Sequence, residues 1–201
     1  MITLCMDTSS AFLALCLIKD HAVVAKYQKK CWKQQSEEIF PALLELLQKV
    51  DLSPDAIDQV VVSKGPGSYT GVRIAMTVAK VFCAMGDKPL ATVSTLQLYA
   101  GDLEHARIVL DARGQRAYTA YYEHGVCVEE ETVLPLEIIA EKLQEQVTVV
   151  GDGHLVDRPD YIPDLAANFL ALEKQWRFAA NVHMVSPTYL KSSESYRTGI
   201  Q

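Results

Sequence analysis

The run Gly65-Pro66-Gly67-Ser68-Tyr69-Thr70-Gly71-Val72-Arg73 has the residue types of a phosphate loop between a strand and a helix. Glycines let backbone N–H groups approach a ligand, and a helix N-terminus favours an anion. The spacing fits neither nucleotide fingerprint. A Walker loop counted from Gly65 needs its second glycine at Thr70 and a lysine beyond it, but Val72 and Arg73 follow Gly71. A dinucleotide loop needs G-x-G-x-x-G, and Gly71 comes one residue late. What remains is a tight turn with Ser68 or Thr70 as helix cap, or a contact for an anion or partner. Arg73 favours a contact. A cation in the first turn opposes the helix dipole by roughly 0.3–1 kcal/mol, so an arginine there suits a carboxylate or phosphate.

Two carboxylates also stand at strand ends. Asp7 is followed by Thr8, Ser9 and Ser10, and Asp111 closes a second apolar run. Together they have the donors to hold magnesium over a nucleotide phosphate. Alternatively, they satisfy backbone groups at turns. A two-metal nuclease of the ribonuclease-H type would want a further carboxylate after residues 57–62, where Ser63 and Lys64 stand. No two of the five histidines are spaced i, i+4, and no serine sits in G-x-S-x-G. Zinc-protease and serine-hydrolase readings therefore lack their residues.

The elements that must position these groups come in two similar series. "ITLCMDT" (2–8), "FLALCLI" (12–18) and "HAVVAKY" (21–27) read as strands, with a turn at Lys19-Asp20. A helix follows, capped by Ser36, with Glu37 and Glu38 at its positive end and Pro41 in its first turns. A strand at 57–62 leads to the Gly65 loop and a helix over 71–85. From Arg107 the order returns: "RIVLDA", "RAYTAYYE" and "VCVEEETV", a helix "LEIIAEKLQEQ", and a strand "VTVVGDG". Gly65-Pro66-Gly67 answers Gly151-Asp152-Gly153. This predicts duplicated α/β lobes, residues 1–104 and a reduced 105–201, facing a cleft. Asp7 and Asp111 are expected to face each other there, beyond the strands' carboxyl ends.

The helix over 71–85 is apolar nearly all round, with Arg73, Thr77 and Lys80 on one stripe. The helix from 36 carries Ile39, Phe40, Leu43, Leu44, Leu46 and Leu47 over more than one face. A chain of 201 residues has trouble hiding two such helices, which predicts a helical docking face. The net charge of −6 opposes bulk attraction to nucleic acid. The stretch Lys26, Lys29, Lys30 and Lys33 around Tyr27 and Trp32 reads as an RNA contact or as a lysine-guarded edge strand. Five cysteines without C-x-x-C spacing, no leader pattern and no membrane-length apolar run place the chain in a reducing cytoplasm.

"MDTSS", "SEEIFPALLELL", "GPGSYTGVRIAMTVAK", "VSTLQLYA", "LDARGQRAY" and "VVGDG" occur in an order that resembles the TsaB (YeaZ) family. The resemblance implies an actin-like (ribonuclease-H-like, ASKHA) fold with a reduced second lobe. It implies a non-catalytic subunit that binds and activates a TsaD transferase, which makes threonylcarbamoyladenosine on tRNA next to the anticodon. Implied partners are TsaD, a TsaE-like ATPase and a second copy of the chain; tRNA is met only through the complex. The expected interface is Phe40, Leu44, Leu47, Arg73, Ile74, Val78 and Phe82. Asp7, Thr8, Ser9, Ser10 and Asp111 become a vestigial nucleotide site. The chain then needs no cofactor of its own, with the cleft or the complex interface left as the place for ATP or ADP and magnesium. The competing expectation is an independent actin-like-fold ATPase or kinase using Asp7 and Asp111. The histidine common before the first helix in the family is replaced by Gln35 in Gln35-Ser36-Glu37.

Overall fold

The computed structural model describes residues 1–190; the polar tail from 191 to 201, included in the expected second lobe, lies outside the described residues. β1 (Ile2–Asp7), β2 (Phe12–Lys19) and β3 (Ala22–Lys30) form an antiparallel meander. β4 (Gln59–Ser63) adds parallel to β1, and β5 (Leu90–Val93) parallel to β4. The second series repeats the pairing. β6 (His105–Asp111), β7 (Arg116–Glu123) and β8 (Val126–Pro135) are an antiparallel meander, and β9 (Thr148–Gly151) adds parallel to β6. The expected duplication is therefore present in the strand order 4-1-2-3 and 9-6-7-8. It is the ribonuclease-H-like arrangement of the actin-like fold.

Alternation along the strands sends side chains to opposite faces. On the first sheet Leu4, Met6, Leu13, Leu15, Val60 and Val62 face outward. They are covered by α1 (Gln35–Gln48) and α2 (Tyr69–Gly86). Cys5, Ala14, Cys16, Val61 and Val93 face the other way, into a layer built from α3 (Thr95–Ala100) and α5 (Leu165–Ala171). The same cluster includes Ile108, Tyr118, Ala120 and Val150 of the second sheet. α4 (Leu136–Glu141) packs on that sheet's far side. The halves thus share one central apolar layer, fastened by the buried rings of Tyr99 and Phe169.

Several expectations shift. The rhythm passed over β5 and α3, both short. α1 begins at Gln35, not after a Ser36 cap; Gln34 is the cap and makes no side-chain hydrogen bond there. Buried Gln35 instead donates to the Ser10 carbonyl at 2.9 Å, so a tertiary anchor sets the start. Pro41 is consequently the seventh helical residue, beyond the first turn. The hairpin turn uses Asp20 and His21, at φ 49° and 62°, as a type I′ turn requires. α4 stops at Glu141, shorter than the expected helix. The lobe boundary also moves: β10 (Arg177–Phe178) pairs with β5, so the chain returns to the first sheet well before residue 190.

One ion pair braces the second sheet. The Arg107 side chain is buried, and its guanidinium holds Glu129 through two bonds at 2.9 and 2.7 Å. Lys142 adds a third at 3.0 Å. Arg107 first, and Lys142 after it, pull the Glu129 carboxyl down from its ordinary 4.5 to about 2. A depressed carboxylate gives stability that is full above the unfolded value and lost as pH falls through the folded one. The thermal midpoint should therefore drop between pH 4.5 and 2, and Glu129→Gln should flatten that limb. An unaltered acid slope in Glu129→Gln, followed by circular dichroism, would assign the acid loss to other groups.

Candidate functional site

The Asp7 loop and the Gly65 loop meet at the carboxyl ends of β1 and β4. Ser68 caps α2, its Oγ accepting from the Gly71 N–H at 3.2 Å. Its own N–H donates to the Ser9 carbonyl at 2.7 Å. The Gly65 N–H donates to Thr95 Oγ1 at 3.1 Å. Thr8 Oγ1 donates to the Gly71 carbonyl at 2.6 Å and accepts from the Ala75 N–H at 3.0 Å. A Cβ at Gly67 would lie 2.5 Å from the Ser9 carbonyl oxygen, and one at Gly71 only 2.2 Å from that of Thr8. The glycines therefore allow backbone to pack on backbone.

Asp7 is fully buried. One carboxylate oxygen accepts from the Ser9 N–H at 3.3 Å, from Ser9 Oγ at 2.6 Å and from Ser63 Oγ. The other oxygen has no hydrogen-bond partner among the described residues. Burial pushes this carboxyl up, against the pull of the two serines. Ser10 Oγ accepts from the Tyr99 hydroxyl at 2.6 Å and from the Phe12 N–H at 3.1 Å. Asp111 sits in a different setting. It is exposed, pairs with Arg113 at 3.3 Å and accepts from the Arg113 N–H at 2.7 Å. Asp7 and Asp111, expected to face each other across a cleft, thus differ in setting: one is sealed, the other exposed. The carboxylate that joins Asp7 in acting on Tyr99 is Asp152, whose Oδ2 accepts from the Asp111 N–H at 2.8 Å. Only the Gly-Asp-Gly spacing hinted at Asp152, and Tyr99 stood only within the "VSTLQLYA" block, with no role attached.

Several groups that a magnesium nucleotide would use are engaged within the fold. Thr8 and Ser9 have their hydroxyls committed, and Asp7 is withdrawn from solvent. Among the described residues no three His, Cys, Asp or Glu side chains are grouped to hold a metal. In the basic stretch, two of the four lysines are held in ion pairs. Lys26 pairs with Asp164 at 2.5 Å and Lys29 with Glu38 at 3.1 Å, while Arg113 covers Trp32 with its guanidinium carbon 5.0 Å from the ring. Those pairs match the lysine-guarded edge better than an RNA platform.

The outer face of α1 and α2 is different. Phe40 is 57% exposed and Leu44 56%. Between the helices runs an open groove of about 410 Å³. Phe40, Tyr69, Ile74 and Val78 form its apolar wall, and among the described residues Arg73 is the one charged side chain lining it. Arg73 donates to Tyr69 Oη at 2.8 Å, its guanidinium carbon 5.2 Å from that ring's centroid. Leu47 is a correction: at 2% exposure it lies in the core beneath α1 and cannot meet a partner. Phe82 is half-buried under the Lys88 ammonium; Val81 and Met85 are the exposed apolar side chains at that end. The helical period marked too many apolar positions to show which would turn outward.

Comparison with known proteins agrees with this architecture. The family model described as "TsaD: tRNA N6-adenosine threonylcarbamoyltransferase" matches residues 25–153. The tRNA threonylcarbamoyladenosine biosynthesis protein TsaB of Bacillus subtilis is 32% identical over 97% of this chain and 96% of its own. TsaB of Escherichia coli is 30% identical over 75% of this chain and 71% of its own. The solved structure of YeaZ from Pseudomonas aeruginosa, 22% identical, superposes with a TM-score of 0.78 over 94% of this chain and all of the other.

Proposed function

The chain belongs to the TsaB family, and from that premise we propose that it is a non-catalytic adaptor that binds and activates a TsaD-like transferase. Its role is in tRNA threonylcarbamoyladenosine biosynthesis. The observation that carries the adaptor reading is the exposed apolar groove between α1 and α2. Monomeric proteins rarely leave such a face uncovered unless something docks there.

The partner follows from the shared ancestry. The matching model carries the transferase's name, so the transferase has counterparts of these two helices. Two related faces of like shape pair about a pseudo-twofold axis, as two copies do in an isologous dimer. The same face then serves a homodimer when the chain is alone, and a TsaE-like ATPase and tRNA are met through the assembled complex. The reading assigns no cofactor to this chain, in keeping with the committed hydroxyls around Asp7. An independent ATPase or kinase would need Asp7 as a ligand, and its burial opposes that. No described helix is long and apolar enough to cross a membrane.

Light scattering after size exclusion tests the proposal, using the chain alone and mixed with the TsaD-like protein of the same organism. A stable mixed species is expected, formed at the expense of a homodimer. A chain that elutes unchanged beside the transferase would overturn it.

A further inference from the structure

The described chain ends beside this groove. After β10, the Ala179 N–H donates to the Leu90 carbonyl at 2.9 Å, and the backbone turns back along α2. Lys80 reaches out from α2 and donates to the carbonyls of His183 at 2.8 Å and Val185 at 2.9 Å. Val182 and Val185 pack on the outer core, and Leu190 on the central layer. The Thr188 N–H donates to the Lys64 carbonyl at 2.7 Å. The Thr188 carbonyl oxygen lies 2.8 Å from where a Cβ on Gly65 would stand, and Gly65 has φ +95°. Glycine is thus required there twice, for its backbone angle and for the close approach.

Tyr189 then stacks on Tyr69, ring centroids 5.2 Å apart at 26°. Arg73 donates to the phenol of that same Tyr69 at 2.8 Å. The cation lining the groove is therefore held by a ring of its own helix, and that ring is braced by the returning chain.

We propose that the segment from Val182 to Leu190 is a wall of the docking face, with Tyr189 and Lys80 as positioning residues for partner binding. Tyr189 braces the Tyr69 ring that holds the Arg73 guanidinium over the groove, ready for a carboxylate on the transferase. Lys80 pins the carbonyls that bring Tyr189 there. The inference rests on the adaptor reading and deepens it: the partner reads two helices and the strap across them. Freeing Arg73 would leave its rotamers to be ordered at binding, which weakens affinity by roughly three- to tenfold.

The test titrates the TsaD-like transferase into the full chain, its Tyr189→Ala, Tyr189→Phe and Lys80→Met variants, with a thermal melt of each. Tyr189→Ala and Lys80→Met should bind more weakly at a nearly unchanged midpoint. Tyr189→Phe should recover much of the loss, since it keeps the stacking. Equal affinity of Tyr189→Ala and the parent would overturn the strap inference while leaving the adaptor intact. So would affinity and midpoint falling together, which would make the segment a structural brace only. A loss confined to the homodimer would show that a second copy is the occupant, also against the proposal. No binding by the parent chain would overturn the adaptor reading and this inference with it.

Discussion

Replacing Gly71 by alanine is expected to destabilise the chain by about 2–5 kcal/mol, although helix propensity alone predicts the opposite. In an unhindered helix Gly→Ala gains roughly 1 kcal/mol. Here the new Cβ would stand 2.2 Å from the Thr8 carbonyl oxygen, a backbone atom that cannot swing aside. α2 would have to move from β1. That motion would break both bonds of Thr8 Oγ1, to the Gly71 carbonyl and from the Ala75 N–H, in a fully buried place. A folded domain has only about 5–15 kcal/mol in hand, so the effect is large enough to read by urea denaturation. Stability equal to or above the parent would mean that the two loops are not packed as tightly as described.

The second large effect is on binding. Val78→Asp places a charge in the half-buried floor of the groove, beside Phe40 and Ile74. In the free protein that carboxylate stays in contact with water. In a dry interface it would be an uncompensated buried charge, costing about 3–5 kcal/mol, or roughly 150- to 4,000-fold in Kd. The variant should keep its circular dichroism spectrum and lose the transferase in a titration. Leu47→Asp is the contrasting control. Leu47 belongs to the core, so its charge should unfold the chain rather than merely release the partner. Undiminished affinity in Val78→Asp would exclude this face as the docking surface.

Much of the fold was legible because its causes are local. Short apolar runs with turn residues between them make the two meanders, and their recurrence predicts the duplication that the strand pairing shows. The failed fingerprints of the Gly65 loop were also legible, since spacing is a property of the chain alone. β5 and α3 were missed because four- and six-residue elements carry too little periodicity to stand out.

The candidate site divides along the same line. By itself the sequence determined which groups exist: two strand-end aspartates, a glycine loop with the wrong spacing, and two helices with more apolar surface than one face can hide. Only the tertiary structure decided their fates. Asp7 and Asp111 are equivalent in the repeat, yet Ser9, Ser63 and Tyr99 close over the first while the second stays at the surface. Phe40, Leu44 and Leu47 are alike in the helix, yet the sheet takes Leu47 and leaves the other two outside. Tyr189 lies 120 residues from Tyr69 and stacks on it. Periodicity reports the spacing of side chains along one element. Burial depends on which neighbour arrives, and here the deciding neighbours come from distant parts of the chain.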